Sequence, residues 1–220
     1  GIPHEDSYGM THLGFENTLP VTVEMMLQAA AAVARAKPQP LVIADVPFAI
    51  AQRSLDKVLA TCARFLQEAG VDGVKLEGGV DIAEKVSALT ASGIPVLGHI
   101  GLLPQQVLQL GGYRKFGKTQ AEQDALVRDA RALQQAGAFA LIGEMMTGEA
   151  VRAVVDSTDI PLIGIGSGDS CDGQILVSTD LLGFNPKPAS FVKTYANLKE
   201  TVTDAFRAYA VEVREGKFPV

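Results

Sequence analysis

Short runs of contiguous apolar residues alternate along this chain with longer stretches whose apolar positions recur every three or four residues. The runs Pro40–Asp45, Gly73–Glu77, Ile94–His99, Phe139–Gly143 and Ile160–Gly164 read as buried strands, and a sixth is expected near Ile175–Val177. Between them the spacing predicts helices. Ser54–Ala69 carries Leu55, Val58, Leu59, Cys62, Phe65 and Leu66 on one face, with Ser54 as N-cap and Gly70 as the stop. Further helices are expected over Ile82–Ala91, closed by Gly93, over Ala121–Ala136, stopped by Gly137, over Glu149–Ser157, and over Val192–Glu215 at the end of the chain.

Strand–helix repetition with continuously apolar strands implies a parallel sheet covered by helices, an α/β fold. No linker or low-complexity stretch divides residues 1–220, so a single domain is expected. Two parallel architectures compete, an open doubly wound sheet and a closed (β/α)8 TIM barrel. No Gly-x-Gly-x-x-Gly follows the first strand, which removes the dinucleotide-binding version of the open sheet. Polar residues recur where strands end: Asp45, Lys75 with Glu77, His99, Glu144 and Ser167. A barrel gathers such ends in one ring, the place where sites of that fold lie. The six strands are fewer than eight, and the barrel is expected to lack its first βα unit.

Composition narrows the class. The 220 residues are 47% hydrophobic, which supports a sizeable core and excludes global disorder. Lys and Arg number 19 against 25 Asp and Glu, a balance of -6 that argues against nucleic acid or an anionic membrane surface as the main partner. The longest apolar stretch, Ala29–Ala34, is far below the roughly 20 residues that cross a bilayer. Cys62 and Cys171 have no metal or redox spacing and read as free thiols. With no signal-peptide pattern at the start, a cytoplasmic location is expected.

The strand ends carry the candidate chemistry. Lys75 and Glu77 are two apart, so on a strand they face the same side. Two readings stand for them: a structural ion pair, or a site in which Glu77 binds a metal and Lys75 holds an anionic group. Asp45 ends the neighbouring strand, and Asp6 lies in a turn upstream. Three carboxylates without thiolates suit a hard cation, Mg²⁺ above all. Glu144 enters the rim from an apolar strand, where desolvation would raise its pKa toward that of a general base; a salt bridge is the other reading. His99, in Gly98-His-Ile-Gly-Leu102, is either a packed core histidine or a group that orients a substrate carbonyl. Gly164-Ile-Gly-Ser-Gly168 follows a strand and resembles a weak phosphate-binding loop without the P-loop lysine. Gly111–Gly117 reads either as a glycine-hinged lid or as a solvated basic loop.

Taken in order, several segments resemble the ketopantoate hydroxymethyltransferase family. They are Asp6-Ser-Tyr-Gly-Met10, Thr18-Leu-Pro-Val-Thr22, Ala44-Asp-Val-Pro-Phe48, Val74-Lys-Leu-Glu-Gly-Gly79, Gly98-His-Ile-Gly-Leu102 with Pro104-Gln105, Gly111-Gly-Tyr113, Gly164-Ile-Gly-Ser-Gly168 and Asp172-Gly-Gln-Ile-Leu176. The resemblance implies a barrel of the phosphoenolpyruvate/pyruvate superfamily. It implies Mg²⁺ at Asp6, Asp45 and Glu77, a small 2-oxo acid at Asp6, Ser7, Asp45 and Lys75, and Glu144 as proton acceptor. The implied reaction moves a one-carbon unit from 5,10-methylenetetrahydrofolate to 3-methyl-2-oxobutanoate through a Mg-stabilised enolate. The products are 2-dehydropantoate, on the way to pantothenate, and tetrahydrofolate. A homo-oligomeric ring, a decamer in the family, is implied as well. Two segments depart from the pattern: Ile2-Pro-His-Glu5 stands where the family has an apolar strand, and Met145-Met-Thr147 follows Glu144 in place of the family's turn. The alternatives are a Mg-dependent carbon–carbon lyase or mutase on another 2-oxo acid, and a non-catalytic barrel relic.

Overall fold

The computed structural model describes residues 2–4, 7–112 and 114–219, with residues 2–4 and 110 described by their backbone. They form two compact units, residues 1–175 and 176–220. The first begins β1 (Ile2–His4), α1 (Tyr8–Thr11), α2 (Val23–Arg35), β2 (Val42–Asp45), α3 (Leu55–Arg64), β3 (Gly73–Glu77), α4 (Ala83–Ala91) and β4 (Val96–Gly101). It continues with α5 (Val107–Leu110), α6 (Gln120–Gln135), β5 (Ala140–Glu144), α7 (Gly148–Val155), β6 (Leu162–Ile165) and β7 (Gly173–Gln174). The second unit holds α8 (Ser178–Leu181) and α9 (Leu198–Arg214), where Tyr195 N–H donates to the Leu181 carbonyl and Leu198 N–H to that of Leu182.

Among the described residues the seven strands are all parallel and stand in sequence order, β1 to β7. A doubly wound sheet reverses its order at a switch point. Unbroken order with right-handed crossovers, the usual hand, instead sends the helices that connect the strands to the same side of the sheet. The two apolar clusters record this. Val42, Ala44, Val74, Leu76, Val96, Ile100, Leu141 and Leu162 face the helices, packing with Met26, Val58, Phe65, Leu89, Leu133 and Val151. Ile43, Leu97, Ala140, Ile142 and Ile165 form a separate cluster on the opposite face. Period-two alternation along each strand separates the two sets. Among the described residues β7 pairs with β6 and not with β1, so the order has two ends.

The expected helices form with shifts of one or two residues, except the last, which begins at Leu198 rather than Val192. α3 runs on as a π-helical turn, Phe65–Ala69, and stops at Gly70, whose φ of 70° is readily adopted by glycine. Ser54 occupies the N-cap position without a side-chain bond, whereas the Thr22, Thr119 and Thr147 hydroxyls cap α2, α6 and α7. Helix α2 contains the Ala29–Ala34 run, which hydropathy alone marks only as too short to cross a bilayer. The last strand is Gly173–Gln174, just before the expected Ile175–Val177. Ile2–His4 pairs with β2 despite Pro3, which an end position tolerates because proline donates no ladder bond. Two aspartates pin the lower ends of strands in the same manner. Asp72 Oδ2 accepts from Val42 N at 2.7 Å, and Asp172 Oδ2 accepts from Leu162 N at 2.8 Å. Neither cysteine forms a disulfide, and no described helix is long and apolar enough to cross a membrane.

Candidate active site

The strand face opposite the helices has two levels. The lower is the apolar cluster of Ile43, Leu97, Ala140, Ile142 and Ile165. Two residues further along the same strands, polar side chains take over. Asp45 follows Ile43 on β2, His99 follows Leu97 on β4, and Glu144 follows Ile142 on β5. Lys75 and Glu77 share that face of β3. Register places Asp45 beside Lys75 and Glu77 beside His99. The chain therefore brings Asp45, Lys75, Glu77, His99 and Glu144 to the C-terminal ends of four adjacent strands, as the alternation predicts.

These groups are buried. Asp45 and His99 are 1% exposed, Lys75 and Glu77 3%. Lys75 Nζ lies 2.9 Å from Asp45 Oδ2, so the cation's close contact is across the strands. His99 lies between the other two carboxylates: Nε2 is 3.2 Å from Glu144 Oε2, and Nδ1 is 3.9 Å from Glu77 Oε1. Gln105, to which sequence reasoning assigned no role, ties the rim together. Its backbone N–H donates to Glu77 Oε2 at 3.0 Å and its side-chain amide donates to the Val46 carbonyl at 2.8 Å. Pro104 starts a short 3₁₀ turn that sets this geometry, and the Pro104-Gln105 pair is the one local signal for it.

Burial raises the Glu77 carboxyl to about 8; the Lys75 charge opposes that rise, and Asp45 adds to it. Burial likewise raises Glu144 to about 7, again against the pull of Lys75. Both groups therefore hold protons more tightly folded than unfolded. The stability they confer is complete below the ordinary carboxylate pKa near 4.5 and is lost as pH climbs through about 7 to 8. Thermal unfolding in the presence of a chelator is accordingly expected at lower temperature at pH 8.5 than at pH 5.5. A double variant, Glu77→Gln with Glu144→Gln, should lose most of that slope; an unchanged slope would refute this assignment of the carboxyls.

The donor set suits a hard cation in part. Asp45 and Glu77 offer oxygen donors on adjacent strands, and buried Glu77 Oε1 accepts no hydrogen bond among the described residues. No three His, Cys, Asp or Glu side chains among the described residues form a ready ligand group. Asp6, the third expected ligand, lies outside the described residues. Ser7 precedes α1, where its carbonyl accepts from Met10 and Thr11 N–H.

Beside Glu77 opens a pocket of ≈ 330 Å³ lined by Phe48, Ala49, Gln52, Gln105, Gln106 and Gln109. The Gly111–Gly117 segment is anchored at its far end. Phe116 bridges to Met146, Arg114 stacks 3.9 Å over the Phe116 ring, and Arg114 Nη1 lies 2.9 Å from Glu122 Oε1. Tyr113 lies outside the described residues. The glycine-rich loop after β6 turns Ser167 inward, 1% exposed and bonded to the β5 end, so its hydroxyl is not presented to a phosphate.

A family model described as ketopantoate hydroxymethyltransferase matches residues 4–220. Curated relatives named 3-methyl-2-oxobutanoate hydroxymethyltransferase include one from Pyrobaculum calidifontis, 48% identical over all of this chain and 82% of its own length. One from Thermotoga neapolitana is 50% identical over 97% of this chain and 79% of its own. Among solved structures, a candidate phosphonomutase of Burkholderia cenocepacia superposes with TM-score 0.58 at 16% identity, covering 95% of this chain and 82% of that one. A candidate lyase or mutase of the same organism gives 0.55 at 18%, covering 94% and 74%. These two likenesses concern the fold alone.

Proposed function

The chain belongs to the ketopantoate hydroxymethyltransferase family, and on that premise we propose that it transfers a hydroxymethyl group to 3-methyl-2-oxobutanoate, giving 2-dehydropantoate for pantothenate biosynthesis. The one-carbon donor in this reading is 5,10-methylenetetrahydrofolate, and the sheet forms the wall of a (β/α)8 barrel. The observation that carries the reading is the polar level of the strand ends, where a buried cation, two protonatable glutamates and a histidine share one face.

Asp45 and Glu77, with Asp6, would hold Mg²⁺, which supplies Lewis-acid polarisation of the oxo acid's carboxylate and keto oxygens. Asp45 and Ser7 contact the substrate, and Lys75 Nζ offsets its negative charge in a site shielded from water. Glu144 takes the proton from C3. Its raised pKa matches a base that must gain a proton near neutral pH and release it again. His99 Nε2, 3.2 Å from Glu144 Oε2, holds that carboxylate's orientation. The electron pair left on C3 attacks the donor's methylene carbon; a C–C bond forms, the two bonds from that carbon to the donor's nitrogens break, water supplies the hydroxyl, and the nitrogens take up two protons, one from that water and one, the former C3 proton, from Glu144. The pocket lined by Phe48 and the glutamines is the space assigned to the donor. The proposal extends to assembly of copies into a ring and to a cytoplasmic setting, where free thiols such as Cys62 and Cys171 persist.

The reaction divides into two measurable halves. With Mg²⁺ and no folate, the C3 hydrogen of 3-methyl-2-oxobutanoate is expected to exchange with D₂O, seen as loss of its proton NMR signal. Adding 5,10-methylenetetrahydrofolate should then yield 2-dehydropantoate. Exchange without transfer would point to a lyase or mutase on an oxo acid. No exchange, and no thermal stabilisation by Mg²⁺ with oxo acid, would leave a binding relic.

A further inference from the structure

We infer that Ser167 is a positioning residue for Glu144, acting through the backbone turn that follows β5. This rests on the reading of Glu144 as proton acceptor. Immediately after Glu144 the chain enters an uncommon conformation, with Met145 at φ 50°. A non-glycine residue holds that left-handed geometry only where its surroundings over-determine it. Here they do. Met145 N–H donates to the Ile165 carbonyl at 2.9 Å, and Leu102 N–H donates to the Glu144 carbonyl at 2.9 Å. From the other side, Phe116 N–H donates to the Met145 carbonyl at 2.8 Å.

The side chain that closes the turn is Ser167. Its hydroxyl donates to the Gly143 carbonyl at 2.7 Å and accepts from Met146 N–H at 2.9 Å. One buried oxygen thus spans the backbone on both sides of the Glu144–Met145 pair. Gly166 and Gly168, at φ 63° and 84°, let the loop double back so that the hydroxyl points at β5. This gives the glycine-rich segment a role other than anion binding. Without the hydroxyl, the Gly143 carbonyl and the Met146 N–H each lose a hydrogen bond. The left-handed turn then loses its brace, and the Glu144 carboxylate loses its fixed distance to C3, on which proton transfer depends steeply.

The test uses the full chain with Mg²⁺ and 3-methyl-2-oxobutanoate, following C3 exchange in D₂O. Ser167→Ala is expected to lower kcat for exchange at least fivefold while KM for the oxo acid changes less than twofold. In a Met145→Gly background, where the turn no longer needs bracing, the same substitution should lower kcat less than twofold. If Ser167→Ala does not fold, Ser167→Cys, a weaker donor of similar volume, is read in the same way. Native kcat in the variant, a change carried by KM, or an equal loss in both backgrounds would each overturn the proposal. Glu144→Gln is measured alongside: full exchange there would defeat the reading of Glu144 itself, whatever Ser167 does.

Discussion

Glu144→Gln is expected to slow Mg²⁺-dependent exchange of the C3 hydrogen about a thousandfold, the middle of the range for removing a general base. Glutamine keeps the shape, and its amide can still meet His99, 3.2 Å away in the native protein. The Met145 turn and its backbone bonds do not involve the carboxylate, so the site should survive. Thermal stabilisation by Mg²⁺ plus oxo acid should therefore match the native protein. In the native protein kcat/KM for exchange should rise with pH through about 7, because only the ionised carboxylate accepts the proton and burial holds its pKa there. The glutamine variant should show no such limb. Exchange within tenfold of native would remove Glu144 from the role of base.

Glu77→Gln should behave oppositely in the two assays. The carboxyl is buried and its pKa is raised to about 8, so its ionised form opposes folding at alkaline pH. Glutamine removes that opposition, and the chelator-treated variant should unfold at a higher temperature than native at pH 8.5. The same change removes a charged oxygen donor beside Asp45, so Mg²⁺-dependent binding of the oxo acid should weaken by more than tenfold, and exchange with it. Calorimetric titration of oxo acid in Mg²⁺, beside unfolding curves in chelator, separates the two effects. Lower stability together with unchanged binding would show Glu77 to be a structural carboxylate.

The site was legible because strand periodicity carries it. Asp45, Lys75, Glu77, His99 and Glu144 each stand at the end of an apolar run, and alternation alone puts them on the face away from the helices. The strands themselves were legible for the same reason, apart from the first, three residues that include Pro3, and the last, whose two residues are too few to show a period. Partner choice was not legible. Lys75 faces the same side as Glu77 in sequence, yet its close contact is Asp45, because parallel register sets Asp45 directly across. Ser167 and Gln105 act through backbone groups far away in sequence, Gly143, Met146 and Val46, and no local pattern encodes such a pairing. Helix α2 was not read, although its buried Met26, Leu27 and Ala30 recur at helical spacing and Thr22 caps it.

The layer of Ile43, Leu97, Ala140, Ile142 and Ile165 gives the charged groups an oily floor. Water finds no hydrogen-bonding partner in that layer, so the carboxyls above it are desolvated from below. Five greasy side chains that take no part in any bond made or broken thus help to set the proton affinity of the groups that do.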